Sequence, residues 1–154
     1  MQYTLTTRED TPVIGYTMLA KPQDPEIPKF WGKVHESGDF ARLMEKSKRG
    51  ENFGLCIMDQ GEDTDVFTYM IAVDHDQEKP IDPDMKKYTV KGGEYAVFRA
   101  PDMASIAPMF TDIYKNWLPN SPYQFNKERN ADFEYYTMDG KNVLCDIYVP
   151  VTKK

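Results

Sequence analysis

Glu134 has the clearest chemical potential in the chain. It sits in an aromatic run, Asp132-Phe133-Glu134-Tyr135-Tyr136. Alternate residues of a strand share a face, which groups Asp132, Glu134 and Tyr136. If that face points inward, the carboxylate loses water and needs a partner. A cation stacked on aromatic rings would supply charge and contact area together. If the face points outward, Glu134 is an ordinary solvated glutamate. The pattern alone leaves both open.

Other aromatic residues have similar double meanings. Tyr69 shares a strand face with Phe67, Ile71 and Val73. It is either a core residue with a satisfied hydroxyl or a hydrogen-bond donor in a groove opposite Glu134. Tyr95 and Phe98 point to opposite faces of their strand, so one is core and the other a pocket wall, with nothing to say which. Trp31 and Trp117 hold equivalent places on two helices. They fill the core, or they wall a groove between the units.

Metal and nucleophile chemistry find little support. His35 and His75 lie in polar surroundings, and only Asp74 and Asp76 flank His75. Surface histidines are the expectation, with no metal site. No triad spacing is present, no calcium loop, and Gly92-Gly93 lacks the spacing of a phosphate loop. Cys56 and Cys145 sit in apolar runs and are expected as reduced core residues, although sequence leaves a disulfide open. No cofactor is expected.

These side chains need strands and helices to position them. Val13 to Met18 reads as a strand, and the proline-rich 21–28 segment as a loop. Ile27, Phe30, Trp31 and Val34 follow i, i+3, i+4, i+7, one face of a helix. Pro28 fits its first turn, and Ser37-Gly38 ends it. Phe40, Leu43 and Met44 extend the helical region. Strands follow at Phe53 to Met58 and Val66 to Val73, the latter apolar on both faces and so central. Residues 74–87 form a charged connection.

The second half repeats that order. Short strands occupy Tyr88 to Val90 and Glu94 to Arg99. Ile106, Met109, Phe110, Ile113 and Trp117 line a helix capped by Ser105, with Pro108 in its first turn. Leu118-Pro119 ends it. Strands at Asp132 to Thr137 and Val143 to Val149 flank an Asp139-Gly140 turn. The expected fold is α+β: duplicated β-α-β-β units, about 11–75 and 86–151, forming one curved antiparallel sheet with two main helices on one face. The groove between the units is the natural ligand site.

The bulk properties narrow the partners. A length of 154 residues fits one domain spanning 1–154. The formal net charge is -6, which argues against direct nucleic-acid binding and mildly favours cationic ligands. The Lys46 to Arg49 run is better read as a solvated helix end. The start, MQYTLTTRED, has no signal-peptide pattern, and no stretch approaches the ~20 apolar residues of a membrane helix. A cytoplasmic protein without membrane contact is the expectation. Ten Tyr, eight Phe and two Trp are enough to fill a core and still line a pocket for a flat ligand.

Five ordered segments carry a family resemblance. They are Phe67 to Val73, Gly92 to Phe98, Ile113 to Pro119, Asp132 to Tyr136 and Asp146 to Val151. Together they resemble the GyrI-like (AraC effector-binding) family, which has matching f-t-Y-x-i-a-V, p-a-g-x-Y-a-v-F, i-y-x-x-W-L-P, d-f-E-x-Y and e-i-y-i-P-v segments. The resemblance implies a duplicated β-α-β-β fold that binds lipophilic, often cationic, compounds. It places Glu134 at the family's ligand-contacting glutamate. Many members are fused to a helix-turn-helix domain; no residues remain here for one, so a standalone member is expected, as a monomer or weak homodimer.

The favoured function is a module holding a small lipophilic compound around Glu134, with Tyr69, Trp31, Tyr95, Phe98, Trp117 and Tyr136 as candidate contacts. Some relatives are hydrolases of cyclopropane-bearing compounds, a role in which Glu134 and Tyr69 would be catalytic. Others bind gyrase, but no dense acidic run supports that here. The haem-binding SOUL group shares the architecture, yet neither His35 nor His75 lies in an apolar segment.

Overall fold

The computed structural model describes all residues 1–154. Two strands open the chain, β1 (Thr4–Arg8) and β2 (Thr11–Ala20). Helices α1 (Glu26–Glu36) and α2 (Asp39–Glu45) follow, then β3 (Asn52–Ile57) and β4 (Phe67–Asp74). The second half runs β5 (Lys86–Val90), β6 (Gly93–Ala100), a 3-10 turn (Met103–Ser105), α3 (Ile106–Asp112), a π-helical turn (Ile113–Trp117) and α4 (Leu118–Asn120). It closes with β7 (Tyr123–Phe125), β8 (Ala131–Asp139) and β9 (Asn142–Lys153).

All strand pairings are antiparallel, in the order β1-β6-β9-β8-β3-β4-β2-β5, with β7 added on β9. The order is symmetric about the β3–β8 pair: β3-β4-β2 comes from the first half and β8-β9-β6 from the second. The edge strands cross over, since β1 pairs with β6 and β5 with β2. Val90 of β5 and Gly93 of β6 are close in sequence, yet their strands lie near opposite ends of the order. The sheet must therefore curl until its ends approach.

The two faces differ accordingly. Inside the curl, Val13, Phe53, Leu55, Met70, Val90, Tyr95 and Phe133 form a core with no helix. The Arg8 guanidinium reaches into this core, 5.3–5.6 Å from the ring centres of Phe53, Phe133, Tyr135 and Tyr148. It pairs with Glu51 at 3.2 Å. On the other face, α1 and α2 pack over β4 and β2 around Val34, Leu43, Tyr69 and Ile71. There α3 packs over β6 and β9 around Ile106, Phe98, Ile147 and Val149. Strands β3 and β8 lie between the two helical layers. The duplicated, helix-on-one-face α+β architecture expected from the sequence is the one observed.

Local details depart from the periodicity. Two strands, β1 and β7, go beyond the sequence reading. β1 is a polar edge strand held by its backbone ladder to β6, so it carries no apolar alternation. Asp102, not Ser105, caps the second helical stretch: Asp102 Oδ1 accepts from the Ser105 N–H at 2.9 Å and its hydroxyl at 2.7 Å. Ser105 spends its hydroxyl as a donor to Asp102. The first helical stretch ends as expected, with Gly38 at φ 83, a left-handed conformation that glycine takes without a Cβ penalty. Cys56 and Cys145 are buried and free.

Candidate functional site

The apolar face of α1 is only partly covered. Val34 is buried, but Ile27 and Trp31 stay half-exposed. They look across β3 and β8 toward Ile106, Phe110 and Tyr114 of the second half. The space between is a cleft of about 1090 Å³. That is just above the ~300–1,000 Å³ usual for small-molecule sites.

Glu134 lies on the cleft floor, only 8% exposed. Its Oε1 accepts hydrogen bonds from the Tyr69 hydroxyl at 2.7 Å and the Tyr136 hydroxyl at 2.9 Å. The Trp31 indole N–H donates to the Tyr69 oxygen at 2.7 Å. A relay therefore runs from α1 through β4 to β8. Trp31 also meets the Tyr136 ring edge-on, at 5.3 Å and 72°. Both tyrosines converge on Oε1, and no side chain donates to Oε2.

One glycine makes room for this arrangement. Gly54 on β3 pairs with Glu134 across the ladder. A Cβ there would stand 2.3 Å from the Tyr69 hydroxyl and 2.4 Å from Glu134 Oε1. Tyr69 and Glu134 meet in the space that a side chain would fill.

A second carboxyl shares the floor. Asp132 is 2% exposed and pairs with Cys56 across the ladder. Its Oδ2 accepts from the Tyr114 hydroxyl. Burial favours the neutral form of both acids. It lifts Glu134 to about 7 despite the stabilising bonds from Tyr69 and Tyr136, and the Asp132 charge adds to the rise. Burial lifts Asp132 to about 6, opposed by Tyr114 and Cys56. Desolvation also pushes the Tyr69, Tyr114 and Tyr136 hydroxyls well above their usual range, so they remain protonated donors.

The structure brings Glu134, Tyr69, Trp31 and Tyr136 together at the cleft. It does not bring Tyr95, Phe98 or Trp117 there. Tyr95 points into the curl, beneath the Arg129 guanidinium at 4.7 Å, and its hydroxyl bonds the Lys91 carbonyl at 2.7 Å. Phe98 is on the helical face, but α3 covers it. Trp117 packs edge-on against Phe98 at 4.9 Å and beside Tyr3 and Tyr123. In the second half Phe110 and Tyr114, not Trp117, face the cleft.

Several cleft residues lie outside the sequence-derived candidates. Phe40 and the exposed ring of His35 stack at 4.4 Å beside Trp31. Only its strand phase marks Asp132 in the sequence, and nothing there marks Gly54. Met58, Met103, Met138 and Val143 form an exposed apolar rim. Methionine is suited to such a rim because its flexible thioether adapts to varied shapes. No cluster of His, Cys, Asp and Glu could hold a metal ion. No helix is long and apolar enough to cross a membrane.

Comparison with solved structures places this architecture among known folds. The SAV2435 protein with tetraphenylphosphonium bound superposes with a TM-score of 0.78 at 21% identity, over 99% of this chain and 94% of that one. A putative transcription regulation protein from Staphylococcus aureus gives 0.77 at 20% identity, over 99% of both chains. An integron cassette protein from Vibrio cholerae gives 0.68 at 17%, over 97% of this chain and 95% of that one. No curated protein matches by sequence. The family model described as the GyrI-like small molecule binding domain matches residues 1–152, and the chain belongs to that family.

Proposed function

We propose that the cleft binds a lipophilic cation, with Glu134 as its counter-charge and Trp31, Tyr69, Tyr136 and Phe110 as its walls. The carrying observation is a buried carboxyl on an aromatic floor that has no Lys or Arg ion pair. A buried acid without a cation is costly when ionised. A ligand bringing its own cation and apolar surface removes that cost. The bound tetraphenylphosphonium of the SAV2435 protein, a ligand of that kind, supports this reading.

Turnover is the weaker alternative. A carboxyl titrating at about 7 suits a general base. However, Tyr69 has one proton and donates it to Glu134, so it is not free to polarise a substrate carbonyl. Isothermal titration of tetraphenylphosphonium into wild type and Glu134→Gln tests the binding role. Loss of a charge-assisted contact is worth about 2 kcal/mol, roughly 30-fold in Kd. Equal affinity in the two proteins would remove Glu134 from the site.

A further inference from the structure

Asp132 and Glu134 project from the same face of β8, about 7 Å apart along the strand. Each is held by a tyrosine from a different half of the fold. Tyr69 of β4 serves Glu134, and Tyr114 of the π-helical turn serves Asp132. The cleft therefore has two acidic poles with separate supports.

The second pole is incompletely satisfied. Asp132 Oδ2 accepts from Tyr114, but the buried Oδ1 has no hydrogen-bond partner. The adjacent Cys56 thiol offers only a weak donor. The Asn52 side-chain oxygen, also on the cleft wall, is likewise buried and unpartnered. Lys115, on the exposed rim, is the one Lys or Arg lining the cleft, and it pairs with neither acid. Two buried acceptors of the cleft thus have no matching donor, and buried acceptors are normally matched.

We propose that Asp132 is a second recognition pole and that the cleft is matched to an elongated aromatic dication carrying N–H donors at both ends. This rests on Glu134 being a cation site. One end sits at Glu134 against Trp31 and Tyr136. The other end pairs with the Asp132 carboxyl beside Tyr114, a side chain that turns to bring its enclosed Oδ1 to the cleft. The aromatic body spans the strip between the two helical layers. A monocation without N–H groups satisfies the first pole only.

Two probes of nearly equal shape test this: 1,4-bis(aminomethyl)naphthalene and 1-aminomethyl-4-methylnaphthalene. Calorimetric titration of the full chain is expected to show the diamine binding at least tenfold more tightly than the monoamine. In Asp132→Asn that preference falls below threefold while the monoamine still binds, which also reports an intact cleft. Wild type that binds both probes equally overturns the second pole and leaves the Glu134 site standing. Wild type that binds neither overturns both. A diamine preference that survives Asp132→Asn assigns it to general attraction by the acidic surface, and also overturns the proposal. If Asp132→Asn does not fold, Asp132→Ser is the second variant, and the wild-type comparison alone can still refute the second pole.

Discussion

Gly54 of β3 stands directly across the ladder from Glu134 of β8, and the Tyr69–Glu134 hydrogen bond occupies the place of its missing side chain. Neither group can retreat easily, because Tyr69 is fully buried and Glu134 nearly so. Gly54→Ala is therefore expected to push the two apart. Overpacking of this kind costs about 1–3 kcal/mol. Thermal denaturation should show the loss of stability, and titration with tetraphenylphosphonium should show weakened binding. Unchanged melting and affinity would mean that the relay is not held as tightly as the geometry indicates.

The two tryptophans are predicted to report different things. Trp31 lines the cleft and donates to Tyr69, whereas Trp117 is packed against Phe98 on the far side of α3. A bound aromatic cation should quench wild-type fluorescence through Trp31. Trp117→Phe is expected to retain the ligand-dependent change, and Trp31→Phe to lose it. Trp31→Phe also leaves the Tyr69 oxygen without its donor, a loss of about 1 kcal/mol or roughly fivefold in affinity. A ligand signal that persists in Trp31→Phe and vanishes in Trp117→Phe would place the ligand elsewhere.

The inner face has its own test. Arg8 is surrounded by four rings and paired with Glu51, itself bonded by the Tyr135 hydroxyl at 2.8 Å. Arg8→Ala removes the stacking and leaves Glu51 with a single donor in a largely buried place. The expected destabilisation is about 2–4 kcal/mol, seen as a lower denaturant midpoint. Ligand affinity at moderate temperature should stay within about twofold, because Arg8 is on the opposite side of the sheet from the cleft. A large affinity loss in a folded Arg8→Ala protein would show that the two faces are coupled.

What the sequence reveals follows from how local each cause is. Strand alternation groups Asp132, Glu134 and Tyr136 because the period of two is fixed by the backbone. The helix period likewise puts Trp31 on an apolar face. Neither period says which strand lies under the groove. That depends on the β3–β8 pairing, a contact between distant parts of the chain. Phe98 has the right face but the wrong strand, two places away from the groove and covered by α3. Trp117 has an equivalent sequence position to Trp31, but it packs under the second helical layer, where Phe110 and Tyr114 take the cleft. Gly54 gives no signal, because a glycine within a strand ordinarily reads as a weak point. Its role exists only once Tyr69 and Glu134 converge on it.

The pH dependence of binding is the last prediction, and its sign is set by Glu134. Burial raises this carboxyl from its ordinary 4.5 to about 7. A cation binds the ionised form, so below pH 7 binding must first expel a proton. Affinity should rise toward tenfold per pH unit between about 5.5 and 6.5, then level off above 7. Asp132, raised to about 6, steepens the lower part of this range. Stability runs the other way. The neutral acid is favoured in the folded protein, so the contribution of Glu134 is fully present below pH 4.5. It is lost as pH rises through 7, by an amount on the order of 3 kcal/mol. Glu134→Gln should therefore gain stability relative to wild type as pH increases from 5 to 8, while losing the rise of cation affinity between about 5.5 and 7. Calorimetry in two buffers of different ionisation enthalpy measures the released proton directly. Proton release near zero at pH 6 would mean that the carboxyl is already ionised before the ligand arrives.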